Sequence, residues 1–306
     1  MSLSYNNFSI AGHHSASAAA DAATSGTELE LEAERIARDL KLPPCPLLLQ
    51  QLHRVMNDDG AEQGELVDMV AADLAMSAAV LKTVNSPLYG LYRPTSSIQQ
   101  ALSIIGLRMT ANLISRLLFR QAFPSAAGKT MQQFWDDSAR LTEVAGEIAR
   151  RVVGVNVDEA TTYMVFRDCG FAVMINRTRD YADIWQAHRH GHAYESLRME
   201  QHDHRTNHAY VGSTLAREWR LPESLWLAIL CHHEIARPSR EPLQLRGAPV
   251  KLAAFGLLVD QIVSLRDGVG VTADWEIAEA FVLGQLALTP DQVIDLFAAE
   301  QVAGLI

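Results

Sequence analysis

The chain reads as an all-α protein, a bundle of many helices, on three observations. From Leu47 onward apolar residues recur every three or four positions, the spacing of one helix face and not the alternation of a half-buried strand. Pro and Gly fall mainly between the periodic stretches, where they punctuate turns. Of 306 residues, 48% are hydrophobic and 20% charged, which is ordinary for a folded globular domain and far from disordered compositions.

Residues 1–27, rich in Ser, Ala, Asn and His, lack the basic start and apolar run of a secretory signal and read as a flexible tail. Leu29, Ile36 and Leu40 among Glu28, Glu30, Glu32, Glu34 and Arg35 predict a short amphipathic helix, stopped by Leu42-Pro43-Pro44-Cys45-Pro46. Leu66, Val70, Leu74, Leu81 and Val84 form the next stripe. Asn85-Ser86-Pro87-Leu88-Tyr89-Gly90 is a turn, after which Ser96 and Gln99 predict a capping box for the helix carrying Ile98, Leu102, Ile105 and Met109. Further helices are expected near 131–153, 159–176, 206–219 and 222–234, with a linker or long loop from Ala236 to Pro249. A last block pairs Leu252–Val259 with Ile277–Leu288, ends in Val293, Leu296 and Phe297, and is expected to pack back onto the body. The expected division is thus a tail over 1–27, a helical domain over 28–240 and a C-terminal helical extension over 241–306.

Charge and cysteine usage narrow the partners. Lys and Arg number 26 against 36 Asp and Glu, a formal −10, which disfavours phosphate backbones and makes nucleic acid an unexpected partner. Cys45, Cys169 and Cys231 are far apart and make no CxxC pair, so neither a disulfide framework nor a zinc ribbon is expected, and a reducing cytoplasm fits. The run Leu252–Val259, bounded by Lys251 and Asp260, is too short to span a bilayer, and no membrane partner is expected.

Polar residues interrupt four apolar stripes. Asp137 shares its stripe with Phe134, Leu141 and Ile148; Asp168 with Met164, Phe171 and Ile175; His208 with Val211, Leu215 and Trp219; His232 with Leu225 and Ile229. His233 adds a further imidazole. A carboxylate and two or three imidazoles converging in a helical bundle suit a divalent metal. Taken singly, each is better read as a satisfied core polar group. His188-x-His190-x-His192 and His202-x-His204 fit no helix face and read as solvated loop.

In order and spacing, the chain resembles the HDOD family, a degenerate branch of the HD-domain metal phosphohydrolases. The resemblance runs from about Leu42 to Glu234. It rests on Asn85-Ser86-Pro87-Leu88-Tyr89-Gly90, Ile98-x-x-Ala101 with Leu102 and Gly106, Phe134-Trp135, His208-Ala209-Tyr210-Val211-Gly212, Trp219-Arg220-Leu221-Pro222 and His232-His233. It implies a multi-helix bundle with an HD-like core. Catalytic HD enzymes carry His where this chain has Asp137, a His-Asp pair where it has Arg167-Asp168, and a late Asp that aligns near Phe255. The remaining ligands would be Asp168, His208, His232 and His233. Arg cannot ligate a metal, so no working dimetal centre, no catalytic residue and no cofactor are expected. Arg167, held by Asp137 and Asp168, would supply the positive charge instead.

The expected function is a non-catalytic, cytosolic signal-transduction module acting through contacts with other signalling proteins, with self-association left open. The alternatives are a metal-dependent phosphohydrolase acting on a nucleotide or cyclic dinucleotide, and a small-ligand sensor using the vestigial pocket. Asn85, Ser86, Pro87 and Gly90 have the chemistry of a joint between helices. Leu88, Tyr89 and Tyr92 add surface suited to insertion against a neighbouring lobe or a partner, and the turn carries the interaction candidates.

Overall fold

The computed structural model describes residues 35–36, 39–57, 63–86, 91–123, 128–178, 180–189, 193–234 and 246–303. The expected tail, Pro87, Leu88, Tyr89, Gly90, His190, His192 and most of the expected linker lie outside the described residues. Among those described there are fifteen helices and no strand.

An N-terminal group comprises α1 (Leu47–Asn57), α2 (Gln63–Ala71), α3 (Leu74–Val84), α4 (Ile98–Ile105) and α5 (Leu107–Ala122). Here α1 packs on α5, and α3 on α4. Ser97, one residue beyond the expected cap, starts α4, its hydroxyl accepting from Gln100 N at 3.2 Å. Asn85 behaves as a joint. Its side-chain amide donates to Thr95 O at 2.9 Å and its side-chain carbonyl accepts from Thr95 N at 2.8 Å, tying the end of α3 to the approach to α4. Tyr92 is 95% exposed and seals nothing.

The site-bearing group begins with α6 (Gly128–Ala149) and α7 (Val157–Phe166), which pack along each other. Next come α8 (Cys169–Arg177), α9 (Tyr181–Arg189), α10 (Ala193–His204), α11 (His208–Glu218) and α12 (Glu223–Cys231). The single helix expected over 159–176 is broken at Arg167-Asp168. Just past the break, a Cβ on Gly170 would sit 1.9 Å from His208 O, so α8 approaches α11 backbone to backbone. The helices α9 and α10 were not expected. Their periodic apolar residues, Tyr181, Ile184 and Trp185, are few and embedded among charges, yet all three are buried.

The C-terminal block is α13 (Ala248–Arg266), α14 (Ala273–Leu286) and α15 (Pro290–Ala303). Within it, α13 lies against α12, α6 and α7. The run judged too short for a bilayer belongs to this 19-residue helix, which by length and composition alone is long and apolar enough to cross one. Its apolar residues are used as core: Leu258, Val259 and Ile262 are fully buried, and 67% of the apolar window is inside the protein.

Candidate functional site

A cavity of about 550 Å3 opens where α6, α9, α12 and α13 meet the α7–α8 turn. Arg167 and Asp168 enter it from that turn. His208 comes from the first residue of α11, a helix whose start Asn207 caps by accepting from Tyr210 N at 2.9 Å. His232 and His233 follow the end of α12.

Arg167 is buried at 5% exposure. Its Nη2 donates to Asp168 Oδ2 at 2.9 Å and its Nη1 to Asp260 Oδ1 and Oδ2 at 2.9 and 2.8 Å. Burial opposes the guanidinium charge, but the two carboxylates reverse that effect and hold it protonated beyond the usual range. The expected partner Asp137 is not there: it pairs with Arg189 at the cavity rim. Its place is taken by Asp260. The resemblance put the late acid near Phe255, which is fully buried core. Asp260 is five residues on, roughly 140° further round the helix at 3.6 residues per turn, and faces the guanidinium.

Asp168 is shared between two roles. Oδ2 meets Arg167, while Oδ1 has no hydrogen-bond partner and lies 3.5 Å from His232 Nε2 and 3.9 Å from His208 Nε2. Burial works against its charge, and Arg167 and then His232 outweigh it, leaving the carboxyl well below the ordinary range. For Asp260, burial dominates and pushes the carboxyl up to about 6 against the pull of Arg167.

The imidazoles are held by acceptors that fix which nitrogen carries the proton. Glu200, fully buried on α10, accepts from His208 N at 2.8 Å and from its Nδ1 at 2.8 Å, leaving Nε2 with a free lone pair. His232 Nδ1 donates to Ile229 O at 2.6 Å, and its Nε2 has no partner. The Ser196 hydroxyl donates to Ala193 O at 2.8 Å, so its oxygen accepts from His188 Nδ1 at 3.2 Å. His208 Nε2 and His233 Nε2 are 3.0 Å apart. Burial pushes His188 down to about 3, lowers His232, and takes His233 well below the ordinary histidine range.

Of the expected site residues, Arg167, Asp168, His208, His232 and His233 therefore converge, and Asp137 stands at the rim. His188, expected in a solvated loop, instead ends α9 and lines the cavity. His202 is exposed but helical, and His204, 13% exposed by its side chain, lies 3.6 Å from Asp180. Glu200, Asp260 and His188 were missed. Only Asp260 carried a usable signal, as the one acid inside the apolar stretch of α13.

A carboxylate and several imidazoles thus meet at one cavity of the helical bundle. The family model described as the HDOD domain matches residues 42–235, and the chain belongs to the HDOD family. It is similar to an HDOD domain protein of Geobacter sulfurreducens, at 21% identity and a TM-score of 0.60, covering 87% of this chain and 96% of that one. It is also similar to a protein of Marinobacter aquaeolei VT8 described as a candidate signal transduction protein, at 20% identity and a TM-score of 0.68, covering 92% of this chain and 64% of that one. Over 218 residues it is 24% identical to an uncharacterized protein of Treponema pallidum (strain Nichols). That match spans 65% of this chain and only 39% of the relative. The family match ends before α13, so Asp260 reaches the cavity from outside the matched segment.

The metal pair of catalytic HD enzymes does not fit these residues. The Arg167 guanidinium stands in their midst, consumes Asp168 Oδ2 and both oxygens of Asp260, and would repel an adjacent dication. A single ion does fit the donor chemistry. Asp168 Oδ1, His208 Nε2 and His232 Nε2 are within 4.8 Å of one another, and two of these atoms lack hydrogen-bond partners.

Proposed function

We propose that this HDOD protein is a non-catalytic signal-transduction module that works through contacts with other proteins. The observation that carries the reading is the buried Arg167, tied to Asp168 and Asp260 where a hydrolase would need a second metal to activate water and neutralise a phosphoryl group. The cavity wall adds support: five acids, Asp137, Asp168, Asp260, Asp267 and Asp274, outnumber three bases, Arg140, Arg167 and Arg189, a poor surface for a nucleotide phosphate. Exposed Tyr92, with Arg93 at 6.0 Å from its ring centre, offers contact surface on the loop after α3. The cavity favours a second reading, a ligand sensor, because its 550 Å3 falls within the roughly 300–1,000 Å3 of small-molecule sites.

The test is an assay of model phosphodiesters and nucleotides with added magnesium, manganese or zinc, alongside partner capture by wild-type protein and Tyr92→Ala. No turnover above background, with capture weakened by the substitution, supports the module. Turnover that both a chelator and Asp168→Ala abolish would establish a hydrolase instead.

A further inference from the structure

We infer that His188 joins His208 and His233, two of the family-position residues, in an imidazole site for a single divalent ion of the zinc, nickel or copper class. This goes beyond the regulatory reading and does not depend on it. It also reverses the expectation, drawn from the substituted positions, that the protein takes no metal.

The three rings each offer a nitrogen within 4.8 Å of the others. They arrive from three elements, the end of α9, the start of α11 and the turn after α12, so no single helix accounts for their meeting. Two are oriented as metal ligands usually are, with the outer ring nitrogen donating to a fixed acceptor and the inner one carrying no hydrogen of its own. For His208 that acceptor is Glu200. For His188 it is Ser196 Oγ, whose own proton is committed to Ala193 O. At His233 the contact with His208 Nε2 at 3.0 Å requires the His233 ring hydrogen between the two nitrogens, because Glu200 has already claimed the His208 Nδ1 proton. An ion entering there replaces that hydrogen, which moves to the other ring nitrogen. Burial keeps His188 and His233 neutral at neutral pH, the form that ligates.

The donor set decides the ion. Imidazole nitrogens suit zinc, copper and nickel, whereas magnesium and manganese prefer oxygen. Asp168 is the only carboxylate among the clustered ligand atoms, and it belongs to the other group of three, with His208 and His232. His188 and Asp168 therefore separate the two possible centres.

Chelator-stripped full chain is titrated with zinc, and with cobalt to read ligand-field absorption, for wild type, His188→Phe, His233→Gln and Asp168→Asn. His188→Phe keeps an aromatic ring against Trp185 and Phe171; the melting temperature of each apo variant reports its fold. The expected result is one equivalent per wild-type chain, loss of at least about tenfold in affinity for both histidine variants, and little change for Asp168→Asn or on substituting magnesium for zinc as competitor. If His188→Phe fails to fold, His233→Gln carries the same expectation. Zinc affinity unaltered in the histidine variants, loss in Asp168→Asn alone, or no uptake by wild type would each overturn the assignment.

Discussion

The two sides of the cavity have fared differently. On the α13 side, Arg167 with Asp168 and Asp260 makes a closed set of charges in which every guanidinium nitrogen has a partner. On the α11–α12 side, four imidazoles keep bare or loosely paired nitrogens, and Asp168 Oδ1 and His232 Nε2 are unsatisfied. The difference teaches that the two halves are built differently: a fixed cation closes the charges of one half, while the other half keeps open donors.

The largest effect is expected from breaking the closed side. Arg167→Ala removes a buried cation and leaves the nearly buried Asp168 and the partly exposed Asp260 unpaired, and should cost about 3 kcal/mol, read as a shift of the urea midpoint. An unchanged midpoint would mean that the pair is solvated. On the open side, Glu200→Ala removes the acceptor of two buried N–H groups of His208 and should cost about 1–3 kcal/mol, with Glu200→Gln losing less. A cost for Glu200→Ala equal to that of Arg167→Ala would erase the contrast between the halves.

Acid titration sharpens it further. The raised carboxyl of Asp260, at about 6, contributes stability that is complete below its unfolded value and lost as pH rises through 6. The lowered histidines act in the opposite sense. His188, at about 3, together with His232 and His233, contributes stability present above the ordinary histidine value of about 6.5 and lost as pH falls below it. Three groups against one should make the protein lose stability between about pH 6.5 and 5. Asp260→Asn removes the opposing contribution, so its stability should fall more steeply over that window. A shallower fall in the variant than in the wild type would show that the Asp260 carboxyl is not raised.

The smallest effects belong to the rim and the loop. Arg140→Ala, which breaks a half-exposed pair with Asp267, should cost at most about 1 kcal/mol, and Tyr92→Ala should leave the unfolding midpoint within about 0.5 kcal/mol.

Much of the fold was legible because apolar periodicity is strong where helices bury a wide face, as in α6 and α11. The site residues Asp168, His208 and His232 were legible for the same reason, as polar residues on apolar stripes, and His233 as the imidazole next to His232. Asp260 was not assigned, because the resemblance gives a position along α13 while the partner is chosen by rotation around it. Glu200 and His188 were hidden for another reason. They sit on α9 and α10, helices whose polar surroundings conceal a narrow buried face, and their roles depend on neighbours far along the chain or on another element. The break at Arg167-Asp168 was equally invisible, since it accompanies a backbone approach of Gly170 to His208 O, far along the chain.

The account of two unlike halves is tested most directly by the number of zinc ions bound per chain after saturation and removal of loosely held metal, read by native mass spectrometry. It predicts one ion, retained when Arg167 is replaced by Lys and reduced when His208 is replaced by Ala. Two ions in the wild-type protein would show that the Arg167 side also holds metal, and none would show that neither side does; either result contradicts the account.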